Sequence, residues 1–290
     1  MNPSTPDPQA GDELQPQTVE QGRALSAWFD TPPGRYLLAW ERDRFDEAVA
    51  DIFGFNALQL GLPELDALAA NRMPNRWLAL PQSGDLPAGE GSPSTGGRSV
   101  ALVTHSAALP FPSASLDLVL LPHTLEFSAD PHAVLREVER VLVPEGRVVI
   151  SGFNPASLWG LRQRRAHWCA RLGLRGEVTR LFLPEAGDFI GHWRLRDWLR
   201  LLSFEAQDTR FGCYRPAVRT EKWLHRYEWM DAVGSRSWPI LGAVYFVVAA
   251  KRVRGMHLLG PAWKPRRAAA APVAIAQRPS IKSYPQEHSG

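Results

Sequence analysis

The sequence predicts an α/β fold, a mostly parallel sheet with helices on both faces. Three observations predict it. Between residues 57 and 151, short apolar runs alternate with stretches of helical periodicity. The runs are near-continuously apolar, as strands buried on both faces are. The chain has 290 residues, 44% of them hydrophobic and 22% charged, so it can bury a sizeable core.

The elements follow in order. Residues 1–20 are polar and rich in Pro, Gln and Asp, and read as disordered. A helical pattern runs from about Gln21 to Phe53, broken at Thr31-Pro32-Pro33-Gly34. In its second half Tyr36, Leu37, Trp40, Phe45, Val49 and Ile52 form one apolar stripe. Ala57–Leu60, closed by Gly61, reads as a strand, and PELDALAANRM (63–73) as a helix with Pro63 at its start. Trp77–Leu80 is a second strand, and residues 81–98 form a Gly/Pro/Ser loop. Val100–Val103 and Leu116–Leu121 are the third and fourth strands. Asp130 caps a helix with Pro131 at its first position, carrying Val134, Leu135, Val138, Val141 and Leu142 and ending at Pro144-Glu145-Gly146. Arg147–Ser151 is the fifth strand.

Residues 156–180 form a basic amphipathic segment with six arginines. A helix at about 193–202, a strand at 204–211, a Trp-rich helical insert at about 220–233 and a strand at 243–250 follow. These divide the chain into a disordered start (1–20), one domain (21–254, with its core at 55–152 and lid or substrate elements at 156–242) and a Pro/Ala/Arg-rich disordered tail (255–290). Right-handed crossovers would make the sheet doubly wound.

The net charge is +3, but residues 251–290 hold eight Lys/Arg against one acid, so the remainder is mildly acidic. This distribution disfavours a nucleic-acid binder with a basic folded face. The two cysteines, Cys169 and Cys213, form no CxxC pair, which argues against a disulfide framework or a Cys-rich zinc site, and no metal is expected. The start has neither a basic nor an apolar signal region. The longest apolar run, residues 238–250, falls short of the roughly 20 residues a membrane-spanning helix needs. The expected location is the cytoplasm. The oligomeric state stays open.

In an open parallel sheet, ligands bind beyond the carboxyl ends of the strands. The candidate positions are Gly61 onward, Pro81-Gln82, Thr104-His105-Ser106, Pro122-His123-Thr124 and Gly152-Phe153-Asn154. No GxSxG elbow, HExxH or P-loop occurs, so hydrolase, zinc-protease and nucleotide-triphosphatase readings lack support.

Residues 108–151 carry Leu109-Pro110-Phe111, Ser115-Leu116-Asp117, Leu125-Glu126-Phe127, Leu135-Arg136-Glu137, Arg140-Val141-Leu142 and Pro144-Glu145-Gly146 in that order. This stretch resembles the second half of a class I S-adenosylmethionine (SAM) dependent methyltransferase domain, and a weaker resemblance runs from about residue 35 to 251. PHTLEF, GFNPASLWG and TPPGRYLL resemble a bacterial subgroup of that family. The resemblance implies a Rossmann-like fold with an antiparallel C-terminal strand and SAM as cofactor. It implies transfer of a methyl group to a small-molecule acceptor that the sequence leaves unidentified. The alternative is a catalytically degenerate scaffold or sensor.

The resemblance implies cofactor contacts at Gln59, Gly61, Leu62, Pro63, Gln82, Thr104, His105, Ser106 and Leu121, and acceptor contacts at His123, Thr124 and Asn154, with His123 the catalytic candidate. The first half departs from the family pattern. Where the family has acid-x-Gly-x-Gly-x-Gly, this chain has Gln59, Gly61, Pro63 and Leu65, so one glycine remains and Pro63 removes a backbone donor. Gln82 and His105 stand where the family places acids.

The bland alternatives are a backbone-bonded loop histidine at His123 or His105, an Asp117 that anchors a turn, and a Glu126 that binds backbone N–H groups. The arginines of 162–180, with Trp159 and Trp168, read as a solvated helix face over the site, or as a contact to an anionic substrate, RNA or a membrane surface.

Overall fold

A computed structural model of the chain describes residues 24–80, 100–174, 176, 179, 181–184 and 188–252. The terminal segments 1–20 and 255–290, the 81–98 loop and Gln82 fall outside the described residues.

Among the described residues the first elements are helix α1, described over residues 24–29, and α2, Pro32–Ala50. The break between them is chemical. Thr31 caps α2 by accepting from the Gly34 N–H at 3.3 Å, and Pro32 sits where no intrahelical N–H is needed. Pro33, Leu37, Glu41, Phe45 and Val49, four residues apart, form one buried row along α2.

Among the described residues seven strands follow: β1 Asn56–Leu60, β2 Asn75–Leu80, β3 Leu102–Val103, β4 Leu116–Pro122, β5 Leu142–Phe153, β6 Phe204–Gly212 and β7 Val244–Lys251. They make one sheet in the order β3-β2-β1-β4-β5-β7-β6. β1 to β5 run parallel, while β7 is antiparallel to both β5 and β6. Both faces are buried, so side chains alternate between two cores. Leu118 and Leu120 of β4, with Phe246 and Val248 of β7, pack against α2. Val119, Leu121, Val247 and Ala249 pack on the other face, against helices α3 (Pro131–Val141) and α5 (His192–Leu201). α3 begins as expected, with Asp130 accepting from Ala133 N–H at 2.9 Å. It ends at Val141, and β5 starts at once. Helix α4, Leu158–Arg171, follows β5. Helices α6 (Glu221–Arg226) and α7 (Trp229–Ser237) and the 3-10 turn Pro239–Leu241 lead into β7.

One element differs in kind. Residues 63–73, expected as a helix, form turns. Side chains take the carbonyls that a helix would use. Gln59 Nε2 donates to the carbonyls of Gly61, Leu62 and Leu65 at 3.2, 3.0 and 2.6 Å, and its Oε1 accepts from Ala67 N–H. Arg76 donates to the carbonyls of Leu68 and Asn71, and Asp66 accepts from Leu68 N–H. Such local bonds compete directly with the helical ladder.

Candidate active site

The sheet order reverses between β1 and β4, and the carboxyl ends of these strands open the crevice where a doubly wound fold binds its ligand. Gly61 ends β1 at φ +82° and Leu62 continues at φ +47°, so two successive left-handed residues turn the chain off the strand end. A Cβ placed on Gly61 would meet only Thr124 Oγ1, at 3.3 Å. This is a cradle in which a ligand can approach bare backbone. Thr124 closes it from below by donating to the Leu60 carbonyl at 2.5 Å.

The predicted cofactor residues do not all offer free groups. Gln59 is buried and spends both ends of its amide on the 61–67 loop. It therefore braces in place a turn that the family's extra glycines would otherwise permit. Thr104 Oγ1 donates to the Ala108 carbonyl, His105 Nδ1 accepts from Ala107 N–H, and Ser106 is buried. Leu121 is a core residue and Pro63 is half-buried. Gly61 and Leu62 line the cradle, with Thr104 to Ser106 at the end of β3.

Beside the cradle lies a buried polar cluster. His123, at φ +53°, sits between two carboxylates. Its Nδ1 is 2.8 Å from Glu126 Oε2, and its Nε2 is 3.0 Å from Glu41 Oε1. All three side chains are at most 1% exposed. Glu126 also accepts from Phe153 N–H, which ties the loop after β4 to the end of β5. Glu41 meets the ring as an ion pair, and among the described residues its oxygens have no other donor. Burial opposes charge on the His123 ring, but Glu41 and Glu126 together outweigh it and raise the pKa to about 10. Burial pushes Glu126 up as well, with His123 opposing it. The two carboxylates thus favour the protonated ring, and Glu41 is the carboxylate with lone pairs left to accept a further bond.

Aromatic rings wall the cluster. Phe29 of α1 and Phe153 lie 5.8 and 4.4 Å from the His123 ring, centroid to centroid, and Trp28 and Phe189 pack on Phe153. Gly152 keeps the far side clear. A Cβ there would fall 2.5 Å from the Tyr245 hydroxyl and 2.9 Å from Glu126 Oε1.

Asn154 is fully engaged. It donates to the Ile240 and Gly242 carbonyls at 2.7 and 2.9 Å and accepts from Ala156 N–H, fixing the turn before β7. Asp117, expected to anchor the turn before its own strand, instead accepts from Phe55 and Asn56 N–H at the entry to β1. Sequence reasoning passed over Glu41. Its signal was available: Glu41 stands four residues from both Leu37 and Phe45, a charge in the middle of an apolar row. Among the described residues no helix is long and apolar enough to cross a membrane. Among those residues, too, no group of three or more His, Cys, Asp or Glu is arranged to hold a metal ion.

Comparison with known proteins agrees with this architecture. A methyltransferase-domain family model matches residues 90–150. The uncharacterized protein YafS of Escherichia coli (strain K12) is 31% identical over 243 residues, covering 82% of this chain and 84% of YafS. Among solved structures, a SAM-dependent methyltransferase of Thermotoga maritima superposes with a TM-score of 0.51 at 14% identity, covering 81% of this chain and 98% of that one. A SAM-dependent methyltransferase of Archaeoglobus fulgidus gives a TM-score of 0.50 at 15% identity, covering 74% and 94%.

Proposed function

The chain belongs to the class I SAM-dependent methyltransferase family, with YafS as a relative along most of its length, and from that premise we propose how its own residues carry the reaction. The observation that carries the proposal is the juxtaposition of the Gly61–Leu62 cradle with the Glu41–His123–Glu126 cluster, joined through Thr124.

The cradle fits SAM, because Gly61 leaves open the space that a side chain would fill, at the point where the strand order reverses. When bound, SAM supplies a methyl group on an activated sulfonium. Gly61 and Leu62 would hold its methionine end, with Gln59 bracing their turn rather than touching the ligand. Gln82 would take the ribose side and Thr104 to Ser106 the adenine.

The acceptor is a small apolar molecule with an ionisable hydroxyl or amine. The aromatic walls Phe29 and Phe153 support the apolar part, and the free lone pairs of Glu41 support the ionisable part. Glu41 accepts the proton the acceptor loses. His123, held as a cation by Glu126, orients Glu41 and offsets its charge in a site that excludes water. The cluster is buried behind Phe29 of α1 and Phe153, so the acceptor would reach Glu41 only when these walls part. Asn154 sets the position of the 239–242 turn.

Calorimetry with SAM and S-adenosylhomocysteine tests the reading. Both are expected to bind, and absence of heat together with absence of thermal stabilisation at millimolar ligand would overturn it. Glu41→Gln is expected to leave SAM affinity unchanged and to lower turnover about a hundredfold or more. Unchanged turnover in that variant would remove Glu41 from the chemistry.

A further inference from the structure

Helix α4 is fixed on one face and unpartnered on the other. On the fixed face, Trp159 is fully buried and donates to the Arg215 carbonyl at 2.8 Å, and Gln163 Oε1 accepts from Phe182 and Leu183 N–H. On the outer face, Leu158, Leu161, Trp168 and Leu172 are 44%, 52%, 66% and 60% exposed. Their spacing of three, seven and four residues puts them in a single stripe along the helix. Arg165 is exposed within the stripe. Arg164, His167 and Arg171 flank it, and with Trp168 they line an open groove of about 380 Å³. From Leu158 to Leu174 the chain holds four arginines and no acid.

We propose that this face of α4 is a docking surface for anionic phospholipid bilayers, with Leu158, Leu161, Trp168 and Leu172 entering the interface and Arg164, His167 and Arg171 holding lipid phosphates. The composition discriminates among partners. A helix with Leu and Trp on one stripe and Arg along its border matches the interfacial plane of a membrane. A second copy of this chain would bring like charges together along that border. An RNA strand would leave the leucine stripe without a base to stack on it. The surface also has a place in the fold. α4 starts directly beyond the carboxyl end of β5, and exposed Trp193 opens α5, whose capping Gly191 lies beside Pro155 at the start of α4. The docking surface therefore lies on the same edge of the sheet as the crevice.

The test is co-sedimentation of the full chain with vesicles of phosphatidylglycerol and phosphatidylcholine, against vesicles of phosphatidylcholine alone, without cofactor. Binding is expected to the first and not the second, and to fall with salt. Arg164→Ala with Arg171→Ala is expected to weaken binding about 25-fold, roughly fivefold per arginine near an anionic surface. Leu161→Glu with Trp168→Glu is expected to abolish it in a protein whose melting temperature is unchanged, while Trp168→Phe retains it. Absence of binding by the wild-type chain overturns the proposal. So does binding that survives the Glu pair, which would move attachment to another part of the chain. A wild-type dimer that the Glu pair dissociates, without any vesicle binding, assigns the face to a second copy and overturns it too.

Discussion

At the residue scale, the Glu41–His123–Glu126 cluster gives the protein a titration signature. The folded state holds a proton on His123 that the unfolded chain releases near pH 6.5, because the folded pKa is raised to about 10. This contribution is complete below pH 6.5 and is lost as the pH rises through 10. Glu126 is also raised, so its effect has the same sign, beginning above its ordinary value of 4.5. Urea unfolding is therefore expected to show stability falling steadily between pH 6.5 and 10, with a flatter slope in Glu41→Gln. A slope of the opposite sign would mean that the cluster does not hold the extra proton. Replacing His123 with Ala leaves two buried carboxylates facing each other and is expected to cost about 3–5 kcal/mol. Glu41→Gln removes one of the two carboxylates paired with the buried ring but leaves Glu126 in place, so it is expected to destabilise the protein less than His123→Ala does, with the loss confined to pH values below about 10. Glu41 itself was legible only as a charge on an apolar stripe. The reason it is tolerated, a histidine 82 positions away on another element, belongs to tertiary structure.

At the element scale, α7 is tied to α2 and to the segment after β6 through one carboxylate. Asp231 of α7 accepts from Tyr36 Oη at 2.5 Å, Tyr214 N–H at 3.1 Å and Arg215 Nε at 2.8 Å, and the Arg215 guanidinium lies over the Tyr36 ring. Burial, reinforced by Asp231, raises the Tyr36 hydroxyl far above its usual range, so it donates at any ordinary pH. Asp231→Ala is expected to cost about 2–3 kcal/mol and to raise hydrogen exchange in α6 and α7 before that in β4. Uniform exchange across the domain would argue against α6 and α7 opening as a separate unit. The strands and α3 were legible because their periods are local and both faces of the sheet are buried. Residues 63–73 were misread for the opposite reason. They have helical spacing, but Gln59 and Arg76, from the flanking strands, claim their carbonyls. In the site, Thr124 and Gly61 lie where the strand ends put them. Asn154, by contrast, is occupied by a turn more than 80 residues downstream, which no local pattern reveals.

At the scale of the whole molecule, strand order, two-sided core and crevice act together. A ligand in the cradle touches the ends of several strands and stabilises only the folded state. SAM at about 100 times its dissociation constant is expected to add about 2.7 kcal/mol and raise Tm by about 5–10 °C. Gly61→Val should abolish this shift, because the residue sits at φ +82° and a side chain would fill the cradle. A melting temperature that still rises with SAM in that variant would place the ligand elsewhere.

The amide of Gln59 has one more consequence, for what can be substituted there. Three carbonyl oxygens converge on its Nε2, and only a donor can satisfy them. An acid at this position, as the family pattern has it, would turn a carboxylate toward those same oxygens. A single step back, Gln59→Glu, would therefore break the loop it was meant to restore unless the loop changed at the same time. The glutamine and its loop are thus a matched pair: neither the side chain nor the turn can be exchanged for the family's version alone.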